Sequence, residues 1–344
     1  MYKKWLILLF FVILSIGIID INFINAQPLT PYKIEIYSLP IGYNVYNMGV
    51  ALSEEINKNT KLLKAVHFEG KDPTVHMKML IVEPERKKHS IFFTDSWATW
   101  AGEKQLGGLK GVKYDFSKFR GLFALSAGPN TLVTVNPKIK TLEDLKGKRV
   151  VLTSTPGGVV DLVLGGILKE AGIFDHLKIQ YIKPKEAVDA LKDGLIDAAM
   201  FGLSLRGLPN IWGPSPSLVE LASTKDTYFI PVSGKYIRAF AEKTGCSVGV
   251  VTIPPKMLGP LQNEPLEVIN KHIFWGVHLE MPDDIVREVL NIVYNRAHVF
   301  KEYDPLGKIL SKETMARMGL KEEQIHPAAL KFYKEKNISI GGFE

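Results

Sequence analysis

Arg149-Val150-Val151-Leu152, then Thr153-Ser154-Thr155-Pro156-Gly157-Gly158, then an apolar stretch with Val159, Val163 and Ile167 at four-residue spacing, decide the fold. The first run is short and β-branched, which predicts a strand. The second is rich in turn residues, and the third has the period of a helix with one buried face. Pro156 suits the first turn of a helix, and Gly157-Gly158 let a ligand approach the backbone. A helix starting there exposes unpaired N–H groups and a partial positive charge, which favour an anion. The same residues also suit an ordinary tight turn between strand and helix. The loop is not a P-loop, because no Gly-Lys-Ser/Thr follows, and the chain has neither a G-x-G-x-x-G fingerprint nor a Gly-x-Ser-x-Gly elbow.

The pattern repeats outward. Lys33 to Tyr37 alternate like a strand, Ser38 to Asn44 form a loop, and Met48, Leu52 and Ile56 mark a helix with Glu54, Glu55 and Lys58 opposite. Ser90 to Thr94 read as a buried strand ending in Asp95-Ser96, a helix N-cap pair, after a solvated turn at Glu83–His89. Leu122–Leu125 and Thr131–Val135 are strands flanking the turn Ser126–Asn130. Thr141 and Asp144 cap a short helix that Gly147 ends. Ala187–Asp193 is helical, Gly194 breaks it, and Ile196–Phe201 is a strand. Alternating strands and helices predict α/β layers with a parallel sheet. Residues 207–217 form a Gly- and Pro-rich loop with Trp212. The C-terminal third is expected to be mainly helical, from Pro282–Ala297 and the Ala328, Phe332, Tyr333 spacing.

The chain has 344 residues, 46% of them apolar and 23% charged, enough for two globular domains. The net charge is +7, but the lysines are scattered and no five basic residues adjoin. That charge reads as solvated surface, and nucleic acid is not an expected partner. The single cysteine, Cys246, allows no intramolecular disulfide and is expected to be a buried apolar residue. Eight histidines form no H-E-x-x-H pair, so neither a metal nor a cofactor is expected. The first 26 residues read as a secretory signal peptide: Lys3-Lys4, an apolar run from Trp5 to Ile19, and Ile24-Asn25-Ala26 before Gln27. The apolar run is short for a spanning helix, which needs about 20 residues. A retained membrane anchor is the alternative. A periplasmic location is the expectation.

Several motifs, in order, carry a resemblance. Val45-Tyr46-Asn47-Met48-Gly49 follows the first loop. Asp144-Leu145-Lys146-Gly147-Lys148-Arg149-Val150 precedes the loop Thr153–Val159. Ala190-Leu191-Lys192-Asp193-Gly194-Leu195-Ile196-Asp197-Ala198, Pro214-Ser215-Pro216 with Glu220-Leu221-Ala222, and His326-Pro327-Ala328-Ala329 with Phe332-Tyr333 complete the set. Over residues 33–338 the chain resembles the TAXI family, the substrate receptors of tripartite ATP-independent (TRAP) transporters. The first loop departs from that pattern: Gly42 is kept, but Leu39 and Tyr43 stand where the family places glycines.

The resemblance implies a two-lobed α/β fold of the periplasmic-binding-protein type (type II), with a hinge and no catalysis. Lobe one is expected at 33–126 plus 232–344 and lobe two at 127–231, with hinges at Ser126–Asn130 and Ile230-Pro231-Val232. The expected ligand is a small organic anion, a carboxylate or acidic amino acid, with room for an aromatic one. The expected partner is the membrane permease of a TRAP transporter. Expected ligand-binding residues are Ser38, Tyr43, Asn44 and Tyr46 of the first loop and Thr94, Asp95 and Ser96 at a strand end. To these are added Ser154, Thr155, Gly157 and Gly158 at a helix N-terminus, Phe201 and Ser204 after a later strand, and Arg206 as a carboxylate partner. Trp97, Trp100 and Trp212 are candidates for the cleft wall or for packing. Three other readings keep the residues but change the role: a receptor of an ATP-driven importer for a sulfonate or nutrient precursor, an extracytoplasmic sensor, or an enzyme using Cys246.

Overall fold

Met48, Leu52 and Ile56 are all fully buried on one face of α1 (Asn44–Asn59), as their spacing requires. The computed structural model describes residues 30–41, 43–208 and 211–343. The segment 1–26 read as a signal peptide, Gly42, Pro209 and Asn210 lie outside the described residues. Among the described residues, no helix is long and apolar enough to cross a membrane.

Two mixed sheets organise the chain. The first has the order β2-β1-β3-β13-β4, from β1 (Tyr32–Tyr37), β2 (Leu63–Phe68), β3 (Ser90–Asp95), β4 (Phe119–Ala127) and β13 (His272–His278). β2, β1 and β3 are parallel, while β13 runs antiparallel between β3 and β4. The second sheet joins β5 (Asn130–Thr134), β6 (Arg149–Thr153), β7 (Lys178–Tyr181), β8 (Ala198–Gly207), β11 (Gly249–Ile253) and β12 (Leu266–Asn270) in the order β11-β12-β5-β8-β6-β7. β9 (Ile211–Pro214) pairs with β8, and β10 (Tyr228–Ile230) with β5. The expected parallel core is present in β7-β6-β8, and the other partners in this sheet are antiparallel.

Three strands, β11, β12 and β13, occupy a region expected to be helical. β13 is central in its sheet and covered on both faces: His272 and Phe274–His278 are all buried, so alternation, the strand signal, is lost. These strands also move the second crossing. The chain was expected to return to the first lobe at Ile230-Pro231-Val232, but β10, β11 and β12 all pair in the second sheet. The passage back is Asn270-Lys271-His272. It runs beside the first crossing, with Gly128 N–H donating to Lys271 O at 2.8 Å.

Ser96 to Gly102, most of α3 (Ser96–Glu103), are buried without a gap, because this helix lies between the two layers. Trp97, Trp100 and Ala101 pack in one cluster with Val159, Val163 and Ile167 of α4 (Val159–Glu170). Phe240 of α7 (Gly234–Thr244) completes the contact, meeting the Trp100 ring edge-on at 5.9 Å. The tryptophans are therefore packing residues: Trp97, Trp100 and Trp212 are all buried in hydrophobic clusters.

Glu55, read as surface, is buried on α1 and pairs with Arg296 Nε at 2.9 Å, at the end of α8 (Asp283–Arg296). Removing Arg296 leaves that carboxylate short of a partner. Arg296→Ala is expected to lower stability by roughly 2 kcal/mol, because the Arg side is partly solvated. A urea midpoint equal to wild type would count against this.

Candidate functional site

Three helix N-termini converge on one cavity of about 500 Å³ between the sheets. They belong to α2 (Pro73–Val82), α3 and α4. Each follows a strand of its layer or the loop after it, so the cavity lies at the carboxyl ends of strands, where open α/β sheets bind ligands. Two of the three are already satisfied by their own residues. Asp72 accepts from Thr74 N at 2.8 Å, and Asp95 accepts from Ala98 N at 2.8 Å. α4 differs: its N-cap is Gly158, which has no side chain to cap with. Its first N–H groups, at Val159 and Val160, lack partners within the helix and belong to residues that line the cavity. Asp161, in the first turn, accepts from Gly157 N at 2.8 Å and so takes up one donor of the loop.

Lys271, in the crossing, is the one cationic side chain lining the cavity among the described residues. Its Nζ lies 3.0 Å from Asp95 Oδ2 and 5.3 Å from the centre of the Trp97 ring. The pair is largely shielded, with side-chain exposures of 20% for Lys271 and 8% for Asp95. The charged lining is thus Asp72, Asp95 and Lys271, with the α4 terminus as a further positive element.

The expected ligand residues divide into three groups. Tyr43, Asp95, Ser154, Thr155, Gly157 and Gly158 line this cavity. Asn44, Ser204 and Arg206 instead line a second hollow of about 370 Å³ with Pro305 and Lys308. There Asn44 Nδ2 donates to Asp304 at 2.9 Å, and an Arg206 Nη donates to Pro214 O at 2.7 Å, so Arg206 is turned to the β8–β9 hairpin and not to the main cavity. The rest line neither hollow. Ser38 Oγ bonds His67 Nε2 at 2.8 Å, Tyr46 meets the His67 ring edge-on, and Ser96 Oγ donates to Ser247 O at 2.9 Å. Thr94 is buried in β3 and Phe201 in the core. Cys246 is also buried, within the second sheet's cluster, and burial pushes its thiol well above the ordinary range.

Lys271, Thr74 and Phe93 also line the cavity and were not among the expected residues. A lysine between two strands gives no local signal, and only the β12–β13 crossing brings it to the site.

The layers touch at the cavity edge. Gly107 has φ +55°, and a Cβ there would stand 2.9 Å from Gly157 O across the gap. Gly107→Ala meets both a left-handed backbone and that carbonyl. Stability is expected to fall by roughly 1–2 kcal/mol, from the left-handed backbone and the close carbonyl together. A urea midpoint equal to wild type would count against this contact.

Residues 44–336 match the NMT1-like family. Among solved structures, a TctC solute-binding protein from Polaromonas overlays with a TM-score of 0.50 at 15% identity, over 89% of this chain and 97% of that one. Malate-bound MatC from Rhodopseudomonas palustris gives 0.48 at 11% identity, over 89% and 97%. The periplasmic aliphatic sulphonate binding protein SsuA from Escherichia coli gives 0.41 at 18% identity, over 63% and 68%. The Polaromonas overlay spans both layers, and the fold is the two-lobed α/β fold of periplasmic binding proteins. With the match running from the start of α1 to the end of α9 (Pro327–Glu335), the chain belongs to the NMT1-like family.

Proposed function

We propose that this protein is an extracytoplasmic solute receptor that holds a small organic anion in the cavity between its lobes. The observation that carries the reading is the pairing of an uncapped helix N-terminus, at Gly158–Val160, with Lys271 across the same cavity. The volume of about 500 Å³ suits a small molecule. Lobe one is taken as residues 30–127 with 271–343, and lobe two as 130–270, with Gly128-Pro129 and Asn270-Lys271 as the crossings. A carboxylate between the α4 terminus and Lys271 would touch both lobes and favour closure by its differential affinity. The one hydroxyl–carboxylate contact found in the lining among the described residues, Thr74 Oγ1 to Asp72 Oδ1 at 2.6 Å, belongs to the N-cap turn of α2, and the thiol of Cys246 is buried elsewhere, which supports binding over turnover. The motifs shared with the TAXI family support a TRAP permease as the membrane partner and a carboxylate as the solute.

A thermal-shift panel tests the reading, using residues 27–344 and aliphatic dicarboxylates, acidic amino acids, aromatic acids, sulfonates and neutral controls. A solute at about 100 times its Kd adds roughly 2.7 kcal/mol of stability. The expected result is a shift with one carboxylate class. Shifts with neutral or cationic solutes alone would overturn the anion site.

A further inference from the structure

The crossing Asn270-Lys271-His272 is engaged from two sides. Lys271 lines the cavity, while Asn270 and His272 are buried against residues 341–343. Phe343, almost fully buried, donates its N–H to His272 Nε2 at 2.9 Å and accepts from Asn270 Nδ2 through its carbonyl at 3.0 Å. Its ring stacks near that of His272. Gly341 O accepts from Gly319 N at 2.7 Å, which ties the segment to the turn beside it. The fit leaves no spare room. A Cβ on Gly342 would lie 2.5 Å from His272 Nε2, and one on Gly319 would lie 2.1 Å from His272 Nδ1. Burial holds His272 down at about 4, so its Nε2 remains an acceptor for the Phe343 N–H at neutral pH. The contact continues into the site: His272 N donates to Ser96 Oγ at 3.3 Å, next to Asp95, the partner of Lys271.

We propose that residues 341–343 form a strap that positions Lys271 in the cavity by fixing the residues on either side of it. Adjacent side chains on an extended crossing point to opposite faces, so holding Asn270 and His272 from behind directs Lys271 forward. Phe343 and His272 are positioning residues and need not touch solute. The consequence for solute binding rests on the receptor reading, but the placement of Lys271 can be measured without any solute.

The test is competitive acetylation of lysines in the ligand-free chain, read residue by residue by mass spectrometry, in wild type, Phe343→Ala and Gly342→Ala. Lys64 and Lys185, both exposed, are the references. Lys192, whose side chain is 21% exposed against 20% for Lys271, is the control for general loosening. The expected result is a rise of roughly tenfold at Lys271, about the effect of releasing one buried hydrogen bond, with Lys192 unchanged. If Phe343→Ala does not fold, Gly342→Ala decides, since it adds one methyl and removes no core volume. An equal rise at Lys192 and Lys271, or no rise at Lys271 in a folded variant, overturns the proposal. Because no solute is used, failure of the receptor reading leaves this outcome intact, and the reverse also holds.

Discussion

Lys271→Met is expected to weaken binding of the anionic solute by roughly 2–4 kcal/mol, about 30- to 1000-fold, as measured by calorimetry. Methionine keeps the length of the stem and removes only the charge. In wild type the lining carboxylates are Asp72 and Asp95, and Lys271 offsets one of them at 3.0 Å. Without it, both carboxylates face an incoming anion and the α4 terminus alone attracts it. The variant should also lose some stability, because Asp95 becomes a shielded carboxylate without its cation. The loss is limited by the hydrogen bond Asp95 still accepts from Ala98 N. The companion variant is Asp95→Asn. Asparagine caps a helix about as well as aspartate, so the fold should hold. The neutralising charge disappears and the affinity for an anion should rise. A Lys271→Met change below threefold, or a fall with Asp95→Asn, would contradict the assigned roles.

Between pH 6.5 and pH 4 the protein is expected to lose much of its stability, before most carboxylates are protonated. His76, His272 and His278 are each buried, and desolvation is the first cause holding each down to about 4. The nearby cations Lys87 and Lys118 push His278 in the same direction. An unfolded histidine titrates near 6.5, so in this window the unfolded chain binds more protons than the folded one. Stability therefore falls as pH falls through that window, and levels off for these groups below the folded values. Each histidine contributes at most roughly 3 kcal/mol, and three together rival the total stability of an ordinary domain. Each neutral ring is also used: His76 Nε2 accepts from Lys71 N at 3.0 Å, and His278 Nδ1 accepts from Glu280 N at 3.1 Å. Carboxylates held below their ordinary range, such as Asp144 and Asp197, act in a lower window and in the same direction. Urea midpoints from pH 7 to pH 4 check this; a flat profile above pH 4.5 would rule out the histidine account.

How far the sequence reaches depends on whether a signal is local. The α1 helix was legible because Met48, Leu52 and Ile56 repeat with the helical period. The β3–α3 junction was legible because Asp95 follows an apolar run and can cap what comes next. The loop Ser154–Gly158 was legible as a strand-to-helix turn by composition, with Gly157 at φ +67°, but composition alone did not set it apart from an ordinary turn. Where burial is two-sided, the signal disappears: Ile273 to Val277 form a central strand with no polar alternation, and the helical period of α8 just beyond biased the reading. Missing those strands left the passage at Asn270-Lys271-His272, and with it Lys271, without a signal. Ser204 and Arg206 were read as lying beyond the end of a strand, but β8 continues to Gly207 and folds into a hairpin, which takes both to the second hollow. Glu55 looked like surface because its partner, Arg296, is far away in sequence.

The solute is proposed to sit between the α4 terminus and Lys271. The most direct measurement is hydrogen–deuterium exchange of residues 27–344 with and without a saturating solute taken from the thermal-shift panel. The expected result is slowed exchange in the peptides covering 72–76, 95–98, 153–161 and 270–272. Protection confined to 204–216 and 305–308 would place the solute in the second hollow and contradict the account.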